Sequence, residues 1–195
     1  MKQFLVTLLL FTYIFTNAQE MKTSELPYAE IPDYPEKYTA TTVAARMIDG
    51  LGFRYYWATE GLRAEDLAYK PSEKGRTSRQ TIDHIYDLSK VIVNATTKTP
   101  NGDSEKDTLS FDEIRKATLL NLKKASDILL EAESLEDFKI IFKNDYGTSE
   151  YPFWNNINGP IEDAVWHAGQ IVVLRRASGN PFNSKVSVFS GKVRK

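Results

Sequence analysis

Apolar residues recur at spacings of three and four over four separate stretches of the chain, and this period predicts four amphipathic helices. In the first, from about Thr41 to Leu62, Val43, Met47, Leu51, Tyr55, Ala58 and Leu62 share one face. Gly50 and Gly52 lie inside it, each costing about 1 kcal/mol relative to alanine, so they predict close approach of another backbone. The second helix starts at Thr77, where Thr77-Ser-Arg-Gln80 fits a capping box, and runs to about Thr97 with Ile82, Ile85, Leu88, Ile92 and Ala95 inward. The third follows a second capping box, Ser110-Phe-Asp-Glu113, and buries Ile114, Thr118, Leu122, Ala125 and Leu129 before ending near Glu133. The fourth is expected to begin at Pro160, a residue suited to a first helical position, and to end near Ser178 before Gly179 and Pro181. Helices of this length span roughly 30 Å. Amphipathic elements of matched length pack as a four-helix bundle, so the expected class is all-α.

The flanks read differently. Residues 1–18 carry Lys2, an apolar run from Phe4 to Phe15 and a small residue at Ala18, the layout of a secretory signal peptide. That run is shorter than the roughly 20 residues of a spanning helix. The expected location is therefore periplasmic or secreted, with no stable membrane insertion after cleavage. Pro27, Pro32 and Pro35 forbid a helix over 19–38, which reads as an extended lead-in. The bundle itself is expected over 39–181 and a short tail or edge strand over 182–195. The connection 134–157 holds clustered aromatics (Phe138, Phe142, Tyr146, Tyr151, Phe153, Trp154), and its length predicts a function or a small element of its own.

Composition narrows the chemistry. The 195 residues are 42% hydrophobic with a formal net charge of −1, enough apolar content for a core and no electrostatic reason to expect nucleic acid. There is no cysteine, which excludes disulfides, thiolate metal sites and a cysteine nucleophile. Metal or acid–base chemistry is left to carboxylates and two histidines, His84 and His167. Asp163 and His167 are an i, i+4 pair on one side of the fourth helix, continued by Gln170. His84 lies four residues before Leu88 on the second helix and points inward or along a seam. Three ligands from two facing helices suit a divalent metal with an open position. Two imidazoles and one carboxylate favour harder ions such as Mn²⁺ or Fe²⁺, with Zn²⁺ and Ni²⁺ also compatible. Two plainer readings stand beside this one. His167 would simply bond Asp163, and Asp163 would sit in a helix first turn, where the dipole favours a carboxylate. Gln170 is expected to donate to a ligand carboxylate or a water beside the metal. Trp166 is expected to pack between helices, and Arg175 and Arg176 to complement a helix C-terminus.

Two segments, Thr81-Ile-Asp-His84-Ile-Tyr-Asp-Leu88 and Asp163-Ala-Val-Trp-His167-Ala-Gly-Gln170-Ile171, the latter followed by Arg175-Arg176-Ala-Ser-Gly179-Asn-Pro181, resemble the DinB/YfiT-like superfamily of bacterial four-helix proteins. The order and spacing of helices carry the likeness over roughly residues 38–181. The resemblance implies an up-down-down-up bundle with one crossing connection. It also implies a metal held by a histidine of the second helix and a His-x-x-x-His pair of the fourth. These positions are His84, Asp163 and His167, with Asp163 where the pattern asks for histidine. Some relatives are thiol-dependent transferases and isomerases, a cosubstrate that an exported chain argues against.

Two functions follow as expectations. One is an exported metal-dependent hydrolase or transferase in which His84, Asp163 and His167 support activation of water or a small nucleophile toward a small-molecule substrate. The other is a non-catalytic bundle, without a competent metal site, that binds a small apolar ligand or a protein through the 134–157 segment and the bundle groove. A homodimer is compatible with such a bundle, and nothing in the sequence demands it.

Overall fold

Both predicted capping boxes form. Thr77 Oγ1 accepts from the Gln80 amide at 3.1 Å while Gln80 Oε1 accepts from the Thr77 amide at 2.9 Å. Ser110 and Glu113 make the equivalent pair. In the computed structural model, which describes residues 26–102 and 108–195, these caps open two of four long helices: α1 (Ala40–Thr59), α3 (Ser78–Thr97), α4 (Phe111–Leu130) and α6 (Glu162–Ala177). A short α2 (Ala64–Ala68) follows α1, and α5 (Phe153–Asn156) precedes α6. A third capping box, Thr39 with Thr42, starts α1. The proposed signal peptide lies outside the described residues. Among the described residues no helix is long and apolar enough to cross a membrane.

Hydrogen bonds between helix ends fix the topology. Thr41 Oγ1 donates to the Ala132 carbonyl, and Arg115 donates to Thr59 Oγ1, so α1 and α4 run antiparallel. Arg79 Nη2 donates to the Leu109 carbonyl, which sets the start of α3 beside the start of α4 and makes them parallel. Arg175 Nη1 donates to the carbonyls of Trp57 and Ala58, so α6 ends where α1 ends. The arrangement is up-down-down-up, and the parallel pair α3–α4 requires the crossing connection between them. Each of α1 and α3 packs on both α4 and α6.

The core is apolar and continuous: Ile48, Leu51 and Tyr55 meet Ile82, Ile85 and Ile92, then Leu119, Leu122 and Leu129, then Ala164, Ala168 and Ile171. Each large aliphatic side chain buried there contributes about 1.5–3 kcal/mol. The predicted faces of the second and third helices are the observed ones, except that Leu88 is only partly buried. The expected face of α1 is buried at Leu51, Tyr55 and Ala58 and partly buried at Met47 and Leu62, but the buried surface is wider than expected and leaves Val43 out. Val43 is half exposed, while Ala44, Ala45, Ile48 and Phe53 are buried. This helix serves α4, α6 and the lead-in at once, so its buried surface is broader than one stripe. The close approach expected at Gly52 is real, but a side chain makes it: a Cβ there would lie 2.4 Å from the Tyr28 ring. Tyr28 is buried, and its hydroxyl donates to Asp49 Oδ1 at 3.0 Å.

The lead-in and the tail form a second, smaller cluster. β3 (Val186–Ser187) and β4 (Lys192–Val193) pair antiparallel, Val186 packs with Ile31 and Phe53, and the Ile31 amide donates to the Gly191 carbonyl. The long connection carries an element of its own, an antiparallel hairpin of β1 (Lys139–Asn144) and β2 (Gly147–Pro152).

The fourth helix does not start at Pro160. Helical backbone begins at Phe153 and passes through a π-helical turn, Ile157–Ile161, that contains Pro160. Proline has no N–H to donate and crowds the preceding turn of an α-helix. A wider i→i+5 turn accommodates both defects. Ile161, at the junction, keeps helical φ and ψ of −74° and −54°.

Candidate metal centre

The bundle brings His84, Asp163 and His167 together from α3 and α6. His84 is held by a well-capped helix whose Ile82 and Ile85 are fully buried. Asp163 and His167 are held by α6, whose Ala164, Ala168 and Ile171 are seated in the core. Across this seam Asp163 Oδ2 lies 3.2 Å from His84 Nε2, and Asp163 Oδ1 lies 3.4 Å from His167 Nε2. One ligand atom from each residue falls within 4.8 Å of the others. The two imidazoles meet edge to face at 82°, with centroids 4.8 Å apart.

These distances can be compared with those a metal needs. Ligand atoms bound at about 2.0–2.1 Å in tetrahedral array stand roughly 3.3 Å apart. Each histidine nitrogen stands near that distance from one of the two carboxylate oxygens, while one atom from each residue converges only to within 4.8 Å. The set carries one negative charge when both imidazoles are neutral. His167 is the most enclosed of the three, its side chain 14% exposed, against 35% for His84 and 39% for Asp163.

Gln170 orients His167. Its Oε1 lies 2.8 Å from His167 Nδ1, and an amide oxygen can only accept, so Nδ1 carries the proton. Nε2 then faces a carboxylate oxygen at 3.4 Å, a separation that either a proton on Nε2 or a bound cation satisfies, so the donor set is compatible with a cation. Gln170 was expected to donate to a carboxylate or a water; it accepts from the histidine instead.

The helix-dipole reading of Asp163 loses its basis. The unsatisfied amides of this helix lie at its start near Phe153, ten residues upstream, and the helix is continuous through the π turn. Asp83 and Asp87, which flank His84, take no part: Asp83 accepts from Arg79 and Asp87 pairs with Lys90. Tyr55 is core, and Trp57 donates to the Ala29 carbonyl.

The three residues open onto a cleft of about 910 Å³ between α3 and α6. Two features of its lining were not foreseen. Trp166 does not pack between helices. The inward positions of α6 belong to Ala164, Ala168 and Ile171, so Trp166 faces the cleft. Arg76, in the polar loop before α3, lines the same cleft. The signal for Trp166 lies in its spacing, two residues from both Ala164 and Ala168 and so on the opposite side of the helix from them. Arg175 was expected at a helix C-terminus. It is buried and serves that of α1, donating to the carbonyls of Trp57, Ala58 and Glu60.

The profile of the DinB family matches residues 54–183, about two-thirds of the chain. No curated protein and no solved structure gives a significant match.

Proposed function

Starting from a chain that belongs to the DinB family, we propose that His84, Asp163 and His167 hold a divalent metal ion, Zn²⁺, Ni²⁺, Mn²⁺ or Fe²⁺, through two imidazole Nε2 atoms and a carboxylate oxygen. The protein is then an exported enzyme, a hydrolase or transferase, acting on a small molecule in the cleft. The observation that carries this reading is the Asp163 carboxylate with one oxygen turned to each histidine, at 3.2 and 3.4 Å.

An ion so held supplies Lewis acidity, polarising a carbonyl or phosphoryl oxygen and making water or another small nucleophile easier to ionise. The chain's own residues do the rest. Gln170 keeps the proton of His167 on Nδ1, so that Nε2 stays a donor of electrons. The carboxylate lowers the charge of the site by one unit relative to three neutral histidines, which favours harder ions.

A second reading draws on the composition of the cleft. Apart from the three residues themselves, Arg76 is its one ionisable lining group among the described residues, so no further acid or base is at hand to move protons. That favours a bundle that binds a small apolar ligand without turning it over. Metal analysis of protein purified without chelator separates the two. Near-stoichiometric metal that disappears in His167→Ala supports the enzyme. A metal-free chain unaltered by added Zn²⁺, Mn²⁺, Ni²⁺ or Fe²⁺ supports the binding module.

A further inference from the structure

The cleft continues past the histidines along α6. Trp166, Gly169, Gln170 and Val173 fall at i, i+3, i+4 and i+7 and so form one stripe. Trp166 is 72% exposed and Val173 61%, although both are large and apolar. Between them, Gly169 leaves the backbone bare: a Cβ there would meet nothing within 4 Å. The result is a trough with an aromatic wall, an open floor and an aliphatic end. His167 and Val173 are six residues apart, or about 9 Å along the helix.

Arg76 stands beyond, on the loop that leads into α3 and on the lining of the same cleft. It makes no hydrogen bond or ion pair among the described residues, whereas Arg63, Arg79, Arg115 and Arg175 are all engaged. A guanidinium is a planar fork that matches a carboxylate with two parallel hydrogen bonds. In the metal-free chain the other end of the trough is made acidic by Asp163, so there an anionic group is favoured at the Arg76 end and disfavoured at the histidine end.

We infer that this trough binds a small amphipathic carboxylate. Its apolar body, about 9 Å long, lies on Trp166, Gly169 and Val173, its carboxylate meets Arg76, and its far end reaches His84, Asp163 and His167. The inference rests on the proposed metal chemistry only for what happens at that far end; binding itself needs no metal.

The test uses the metal-stripped chain, with 4-phenylbutanoate and its neutral amide as probes, followed by calorimetry and tryptophan fluorescence. The acid binds at least tenfold more tightly than the amide. Arg76→Gln removes that preference and leaves the amide's affinity unchanged. Gly169→Leu lowers the affinity for both probes at least tenfold without lowering the melting temperature, because leucine is the better helix former at an exposed position. Equal binding of acid and amide, binding of neither, or a preference that survives Arg76→Gln overturns the proposal. Zn²⁺ binding is measured separately on the parent chain, so the trough and the metal centre can each fail alone.

Discussion

Gln170 accepts a hydrogen bond from His167 one helical turn back, with Oε1 and Nδ1 2.8 Å apart. This contact occupies Nδ1 and leaves Nε2 as the nitrogen turned to Asp163. Losing such a partner typically costs 10–100-fold in metal affinity. Gln170→Leu should weaken Zn²⁺ binding by that amount in a competition assay with a chromophoric chelator, with little change in fold stability, because Gln170 is exposed. Unchanged affinity would show that the contact does not tune the ligand.

Asp163 separates the proposed ligand set from an ordinary ion pair. Asp163→Asn keeps the shape and removes the charge. It should lower metal affinity severely while the melting temperature of the metal-free chain barely moves, since a partly buried charge is relieved. Asp163→His restores the three-histidine pattern that the resemblance implies, and should retain or tighten Zn²⁺ and Ni²⁺ binding. Titration calorimetry of both variants checks this. Asparagine binding as well as aspartate would remove Asp163 from the metal.

Asp66 makes the fold sensitive to acid. Its fully buried carboxylate accepts from the Arg63 amide, Nε and Nη2, from Ser178 Oγ at 2.6 Å and from Asn180 Nδ2 at 2.7 Å. The Arg63 guanidinium first, then Ser178 and Asn180, hold this carboxyl well below the usual carboxylate range. A depressed folded pKa means stability that is present above the unfolded value of about 3.9 and is lost as pH falls through it toward the folded value. Urea unfolding between pH 7 and pH 2 should show a falling acid limb. Asp66→Asn should cost about 2 kcal/mol at pH 7, at the lower end for a charged hydrogen-bond set because Arg63 is half exposed, and should flatten that limb. A variant that retains the full acid dependence would place its source elsewhere.

The lead-in is tied to α1 through Gly52. A methyl group there would meet the Tyr28 ring at 2.4 Å, and Tyr28 already holds a positive φ of 75°. Gly52→Ala should therefore destabilise the fold by about 1–3 kcal/mol, although alanine is the better helix former. Adding Tyr28→Ala should recover part of that loss, which thermal denaturation of the double variant would measure. Equal losses in the single and double variants would mean that the clash is relieved by some other movement.

Much of this was legible from residue order. The Thr77–Gln80 and Ser110–Glu113 caps, and the Ile82–Ile85–Ile92 and Ile114–Leu122–Leu129 faces, depend on neighbours within a turn or two, so local reasoning reaches them. The histidine and aspartate positions stood out because a histidine is rare in this chain and Asp163 and His167 share a helix side. Other features depend on contacts between remote segments. Pro160 reads as a first helical residue whether it opens a helix or sits in a π turn, and only the packing of Phe153 and Ile161 decides. The hairpin of Lys139–Asn144 with Gly147–Pro152 is exposed along nearly all of both strands, so it carries no clean alternation to find. Asp66 is partnered by Ser178 and Asn180, more than a hundred residues away.

The π turn at Ile157–Ile161 also bears on how this helix tolerates changes in length. In a uniform α-helix, one added or deleted residue rotates everything beyond it by about 100°, which would turn Asp163 and His167 away from His84. A five-residue turn absorbs one residue locally, so Phe153 before it and Ile161, Ala164 and Ala168 after it can all stay seated in the core. The segment therefore holds one more residue than an α-helical turn without loss of phase on either side. Shortening it by one residue would force a choice between the packing upstream and the carboxylate–histidine pair downstream.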